Sequence, residues 1–242
     1  MINNQYTIKD AADFLNISMA TLRRWDSSGK LKSIRENQSE HRRYSPVALE
    51  EFLTTRCVFL AKKWVKKNIG DKPNDIFYCS DSSIFQGRLY KLRTALSKKQ
   101  DIEPIFSLLI LIVGEIGDNS FGHNLGNWPD VNGIFFGYDI QNKVVVLADR
   151  GQGLFKTLKR VKPELSSDQD ALEVAFTEII SGRSPESRGN GLKTVKAVIE
   201  KNPISLFFQS GEAELRLEKN SGELKIKKSK DPFRGCLAII RF

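Results

Sequence analysis

The hydrophobic pattern of the chain changes period several times, and the changes divide it into segments. Over residues 6–53 the spacing is that of short helices. Thr7 and Asp10 stand three apart ahead of Ala11, Ala12, Phe14 and Leu15, the arrangement of a capping box that opens a first helix. Asn16-Ile17-Ser18 interrupts it. Ser18 then caps a second helix through MATLRRWDSS, which Gly29 ends. Two short helices joined this closely predict a helix-turn-helix. Alternation around Leu31, Ile34 and Tyr44, with Asn37-Gln38-Ser39 between, predicts a two-stranded wing. Ser45-Pro46 starts a third helix, VALEEFL, with proline at its favoured first position.

Residues 54–104 show a weaker pattern: a basic stretch (KKWVKKN), a turn region at 70–74 and a helix over 83–98. They are expected to form a linker or helical connector, open to use in dimerisation. From residue 105 the pattern is mixed. A helix runs through the opening apolar stretch. Two strand-like runs, VNGIFFGYDI and KVVVLADR, are joined by a turn at Gln141-Asn142. Helical spacing returns at 171–180 and 192–200, and four strand candidates close the chain: ISLFFQS, AELRLE, ELKIKK and GCLAIIRF. The expected fold class is α+β. A winged helix-turn-helix occupies residues 1–56, the connector 57–104, and an α/β sandwich, a mixed sheet covered by helices, 105–242.

Of the 242 residues, 40% are hydrophobic and 28% charged, a balance that gives a soluble fold. The apolar run at 105–113 is broken by Ser107 and falls far short of the roughly 20 residues a membrane span needs. The opening MINNQYTIKD lacks the order of a signal peptide. Cys57, Cys79 and Cys236 are scattered, with no C-x-x-C pair, so neither a zinc site nor a disulfide framework is expected. The expectation is a cytoplasmic protein without membrane contact. Net charge is +9, and the first 70 residues hold 13 Lys+Arg against 7 Asp+Glu. That excess fits either an appended nucleic-acid-binding module or a solvated basic surface.

Chemistry concentrates in residues 113–127, VGEIGDNSFGHNLGN. Each helical residue advances about 100°, so Glu115, Asn119 and His123 fall on one face, with Ile112 and Ile116 turned to the core. Gly117 and Gly122 each cost the helix about 1 kcal/mol relative to alanine, which suggests that something lies close against it. Two glycine turns follow. LADRGQGL places Asp149, Gly151 and Gly153 after a strand, and ESRGNGL places Gly189 and Gly191 at the start of a helix. A glycine turn at a helix N-terminus offers unpaired N–H groups to an anion. A strand-end aspartate can accept from an exocyclic amine, and a Glu/Asn row can hold a hydrated metal and activate water.

EIGDN (Glu115 to Asn119), DRGQG (Asp149 to Gly153) and GNGL (Gly189 to Leu192), in this order, resemble the E-x-x-x-N, D-x-G-x-G and G-x-G-L motifs of the GHKL superfamily. That superfamily includes gyrase-type ATPases, large heat-shock chaperones, sensor histidine kinases, mismatch-repair ATPases and anti-sigma serine kinases. The resemblance covers residues 105–242 and implies ATP and Mg²⁺ as cofactors. It implies Asn119 as the Mg²⁺ ligand, Glu115 as general base and Asp149 as partner of the adenine amino group. Gly151 and Gly153 would allow approach to the base, Gly189, Gly191 and Leu192 would meet the phosphates, and residues 154–188 would be a lid. His123 is either part of this site or a structural histidine. Arg183 and Arg188 either reach the terminal phosphate or belong to a solvated lid. Gly235 stands where the family often has a Gly-Thr pair, and Cys236 departs from it.

YTIKDAADFLNISMATLRRWDSSGKL, followed by HRRYS, resembles the MerR-type winged helix-turn-helix, closest to the variant in recombinase-associated and excisionase-like proteins. This implies sequence-specific binding of double-stranded DNA as a homodimer. Thr21, Arg23 and Arg24 on the second helix would read the major groove, and His41, Arg42 and Arg43 in the wing would meet phosphates or the minor groove. Leu22 and Trp25 are read as core. With His41 in the wing and His123 in the pocket the only histidines, self-phosphorylation on a dedicated histidine is argued against. The expected function is transcription regulation in which ATP binding or hydrolysis is coupled to DNA binding. Two rivals stand beside it: a serine kinase of anti-sigma type acting on a small STAS-like partner, and a DNA-binding repressor with a degenerate nucleotide site.

Overall fold

Thr7 and Asp10 form the capping box in the computed structural model: the Thr7 hydroxyl accepts from Asp10 N at 3.2 Å, and Asp10 Oδ2 accepts from Thr7 N at 3.1 Å. The structure describes residues 5–35, 41–179 and 190–242. The chain divides into two compact units, Met1–Cys57 and Val58–Phe242.

In the first unit, β1 (Tyr6–Thr7) leads into α1 (Ile8–Phe14) and, after a break in which Asn16 takes φ +52°, α2 (Met19–Ser27). Ser18 caps α2 by accepting from Thr21 N at 3.1 Å. β2 (Arg43–Tyr44) precedes α3 (Pro46–Thr54), which Ser45 caps with proline in its first turn. Ala11, Ala12, Leu15, Leu22, Tyr44, Leu49 and Leu53 are buried together, and Trp25 lies against Phe52 with ring centroids 5.1 Å apart. The expected wing is corrected in part. Ile34 and Arg43 pair through a single antiparallel bridge, while β2 pairs with β1, Tyr6 opposite Tyr44. The Asn37-Gln38-Ser39 turn lies outside the described residues.

The second unit starts inside α4 (Cys57–Val65) and contains β3 (Tyr78–Cys79), α5 (Ser82–Leu96), α6 (Phe106–Asn124), β4 (Ile134–Asp139), β5 (Val144–Asp149), α7 (Gly153–Leu158), α8 (Asp168–Thr177), α9 (Gly191–Lys201), β6 (Ser205–Leu217) and β7 (Lys225–Arg241). Its sheet has the order β3-β4-β5-β7-β6, and every neighbouring pair is antiparallel. The expected mixed sheet is therefore corrected. The β4–β5 hairpin closes as predicted: the Asp139 carboxylate accepts from Asn142 N at 3.0 Å and from Asn142 Nδ2 at 2.7 Å.

One face of the sheet carries Ile134, Phe136, Val145, Leu147, Leu206, Phe208, Ala238 and Ile240 into a core shared with α5, α6, α8 and α9. Alternation sends Phe135 to the other face, where it stacks on Phe77 at 4.5 Å and lies 6.2 Å from Trp64 of α4. Residues 58–104 are thus built into this unit and are not a connector: β3 extends the sheet, and Phe85, Leu89, Leu92 and Leu96 of α5 are core residues. Their period was weak because each element buries only one narrow stripe.

The four strands expected at the C-terminus are two long ones. β6 and β7 stay paired through register shifts at Ser210/Gly211 and Gly211/Ala213. Gly211 takes φ +57°, and a Cβ there would lie 2.2 Å from Asp168 Oδ2, so only glycine passes this bend. The segment expected as a lid, residues 154–188, is in its first part core: Leu154, Leu158, Leu165, Leu172 and Phe176 of this stretch are buried. Residues 180–189 lie outside the described structure.

Gly117 answers why α6 tolerates glycine. A Cβ there would sit 2.1 Å from Cζ of the Phe85 ring, so α5 is what lies close against the helix. Gly117→Ala should destabilise the unit by about 1–3 kcal/mol through overpacking, despite alanine's better helix propensity. Gly87→Ala on α5, where a Cβ meets nothing within 4 Å, should stabilise by up to about 1 kcal/mol. Urea unfolding of both variants checks the contrast, and equal responses would remove the Phe85 contact as the cause.

Candidate functional site

α6 presents its polar row at one end of the sheet. Ile116, Asn119, Ser120, His123 and Asn124 line a pocket together with Asp149 at the end of β5, Gly153 and Leu154 at the start of α7, Leu192 of α9 and Cys236 of β7. Three stretches separated by tens of residues therefore meet. Gly191 shows how closely: a Cβ on it would lie 2.5 Å from Glu115 Oε2 and 3.2 Å from Asn119 Nδ2. The first turn of α9 thus abuts both polar groups of α6. Asn190 makes no side-chain cap there, so the first-turn N–H groups keep their donor capacity.

Asp149 is 1% exposed. Its Oδ2 accepts from Ser120 Oγ at 2.7 Å, and its Oδ1 accepts from Gly151 N at 2.8 Å. Burial pushes its carboxyl up to about 6, although Ser120, Gly151 and Cys236 donate hydrogen bonds that oppose the rise. Burial also raises the Cys236 thiol well above its ordinary range, and the Asp149 charge adds to it. Gly151 packs on Asn124, whose amide nitrogen a Cβ would meet at 2.1 Å. Asn124 Oδ1 in turn accepts from Gln152 N at 2.8 Å, while its Nδ2 donates to Ser120 O. Gly153 takes φ +76°, and Leu154 N donates to Ser210 Oγ at 2.9 Å.

Ser120, Asn124 and Ser210 escaped the sequence reading. Ser120 and Asn124 stand four apart, one position beyond Asn119 and His123, so the same helical spacing that linked Glu115, Asn119 and His123 would have found them. Ser210 had no local signal. Arg150 was also missed. It is 3% exposed, pairs with Asp130 at 2.7 Å and donates to the carbonyls of Trp64 and Val65 at the end of α4. Arg183, Arg188 and Gly189 lie outside the described residues. No group of three His, Cys, Asp or Glu side chains converges as a metal cage among the described residues. A Mg²⁺ held at Asn119 would draw most of its ligands from phosphate and water oxygens, as Mg²⁺ commonly does.

In the first unit, α2 buries Leu22 and exposes Arg23 and Arg24; His41 and Arg43 are exposed as well. Two expected contact residues are otherwise engaged. Thr21 shares a 3.0 Å hydrogen bond with the Ser18 hydroxyl at the helix cap. Arg42 donates through Nε to Asp26 Oδ2 at 2.7 Å, where Arg35 also binds, and Ser33 N donates to Asp26 Oδ1 at 2.8 Å. Burial raises the Asp26 carboxyl, but the bonds from Ser33, Arg42 and Arg35 outweigh it and hold it far below the usual range. Arg42 therefore ties the residues just before β2 back onto α2.

Residues 6–57 match the Helix-turn-helix domain family. A stretch of 59 residues is 36% identical to the Type II methyltransferase M.Eco47II of Escherichia coli, covering 24% of this chain and 14% of that enzyme. The chain thus spans about one-seventh of the length of the curated relative it matches. No helix among the described residues is long and apolar enough to cross a membrane.

The Asp149 carboxyl gives a pH signature. Its folded value of about 6 lies above an unfolded value of about 4. Its contribution to stability is therefore present below about pH 4 and lost as pH rises through about 6. Relative to Asp149→Asn, the wild-type protein should lose up to about 3 kcal/mol of stability between about pH 4 and 7. Denaturant titrations at a series of pH values test it, and a pH-independent difference would rule out a buried ionisation.

Proposed function

We propose that the chain is a regulator in which a helix-turn-helix unit binds double-stranded DNA and the second unit binds Mg·ATP. The single observation that carries the nucleotide reading is that Asn119, which lines one pocket with Asp149, Gly153 and Leu192, also meets Gly191 beside Glu115. Asp149, buried and without a cation beside it among the described residues, is suited to accept from an amino group of a purine. Leu154, Leu192 and Phe208 supply apolar walls for its ring. Uncapped N–H groups at the start of α9 suit phosphate oxygens. Mg²⁺, when bound, would neutralise phosphate charge, and Asn119 would hold it. Glu115, beside Gly191, is then placed to orient and deprotonate a water or an acceptor hydroxyl.

For DNA, the exposed Arg23 and Arg24 of α2 fit base edges in the major groove, and His41 and Arg43 fit backbone phosphates. Arg42 acts through Asp26 by fixing that segment. The helix-turn-helix match over residues 6–57 supports this half of the reading. The methyltransferase relative shares too little of its length to bring its activity here.

Calorimetry on the full chain should show heat of association with Mg·ATP, lost in Asp149→Ala and in Asn119→Ala. Glu115→Ala should retain binding and lose turnover by roughly 10²–10⁴-fold. Phosphate release without a partner favours hydrolysis; binding without release points to a switch or to transfer to another protein. No heat with intact protein would sink the nucleotide reading. On the DNA side, Arg43→Ala should weaken duplex binding while leaving thermal stability in place. Arg42→Ala should cost about 1–3 kcal/mol of stability, because Asp26 loses a charged partner. Electrophoretic shifts and thermal melts of the two proteins separate a contact from a brace.

A further inference from the structure

The basic stretch KKWVKKN finds no use in either site above. Lys66 pairs with Asp231 at 2.8 Å and Lys67 with Asp71 at 2.6 Å. Lys62 behaves differently: its ammonium lies 5.7 Å from the centre of the Phe207 ring. Arg216 approaches the same ring, its guanidinium carbon 4.9 Å from the centre. β6 bends at Gly211, and the arm beyond the bend brings Arg216 back to Phe207. Lys62, Arg216 and Arg241 line one groove with Ser205, Phe207 and Glu218. None of the three cations makes an ion pair among the described residues, and Glu218 is the single acid in the lining among them.

Phe207 and Ile239 are register partners that line this groove, whereas Phe208 and Ala238 line the pocket. Side chains alternate across a sheet, so the groove and the pocket lie on opposite faces and can be filled at once. Two cations held against one aromatic ring keep fixed positions and lose little entropy when an anion arrives. Fixed cations without carboxylate partners suit repeated phosphates. The ring they cover is not offered to a lipid bilayer.

We propose that this groove is a second nucleic-acid contact that takes the phosphate backbone of duplex DNA. The inference rests on the DNA-binding reading of the helix-turn-helix unit. A duplex that reaches both contacts at once is held by two sites of one chain. The contact adds affinity without base preference, because phosphates carry no sequence information.

Anisotropy titrations of the full chain with a labelled duplex of arbitrary sequence, at rising salt, test this. Neutralising Lys62, Arg216 and Arg241 to glutamine should make the log–log salt slope shallower by about 2.7, three phosphate contacts at about 0.9 each. Neutralising Lys91 of α5 and Lys98 and Lys99 just after it, all exposed, should leave the slope unchanged. An unchanged slope in the groove variant overturns the proposal, and so does an equal change in both triple variants. Should the groove variant lose binding to an acidic polypeptide or to anionic vesicles while keeping its DNA slope, the partner is of another class and the proposal fails. If circular dichroism shows the triple variant unfolded, Lys62→Gln alone, at an exposed position of α4, should shift the slope by about 0.9. Wild-type protein that binds no duplex at all would instead remove the underlying DNA reading.

Discussion

The second unit depends on how α6 meets two demands at once. Its Gly117 must come close enough to α5 for Phe85 to lie over it. Ser120 and Asn124, about one and two turns further along, must hold the turn after β5. Neither contact can move without the other. Shifting the helix away from Phe85 would open a void, and shifting it away from β5 would strip Asp149 of its hydroxyl donor. A buried carboxylate deprived of donors is among the costlier faults a core can carry. Packing at Gly117 thus fixes polar geometry further along the same helix.

Much of this was legible. The capping box at Thr7 and Asp10, the N-caps at Ser18 and Ser45, the helical row at Glu115, Asn119 and His123, and the glycine turn after Asp149 are local patterns, because helix caps and periods depend on neighbours within four residues. What escaped depends on partners far along the chain. The role of Gly117 depends on Phe85, and Ser210 reaches Leu154 across 56 positions. Arg42 reads as one more exposed wing cation until Asp26, sixteen residues earlier, is seen to hold it. The weak period of residues 58–104 concealed a strand, because a two-residue strand carries no measurable alternation, and it left the helix expected over 83–98 without a place in the core. The four C-terminal strands read as separate because Gly211 and Gly235 interrupt the pattern, yet both glycines serve bends within continuous strands.

Each unit holds an aspartate in internal hydrogen bonds, and the contrast shows what each is for. Asp26 is surrounded by two guanidinium groups and a serine, and its proton is held off far below neutrality. Such a group is finished: its bonds are made inside the protein, and it fixes shape. Asp149 is more deeply buried and has only neutral donors, so its carboxyl rises to about 6. With one hydroxyl and two backbone amides for company, it keeps acceptor capacity that the protein does not use fully.

That difference gives the pocket a thermodynamic character. Near neutrality the folded chain carries an ionised carboxylate in an apolar setting, which opposes folding. A ligand that donates a hydrogen bond to Asp149 would relieve this strain, so part of its binding energy appears as added stability at the junction of α6, β5 and β7. Linkage then requires that occupancy lower the Asp149 value toward the ordinary carboxylate range. An amine donor gains most from the ionised form, while a ligand that presents a carbonyl to the same spot meets repulsion. On the nucleotide reading proposed above, the charge on Asp149 would favour the first class over the second. Only a ligand on the favoured side can tighten the elements that join its site to the rest of the sheet.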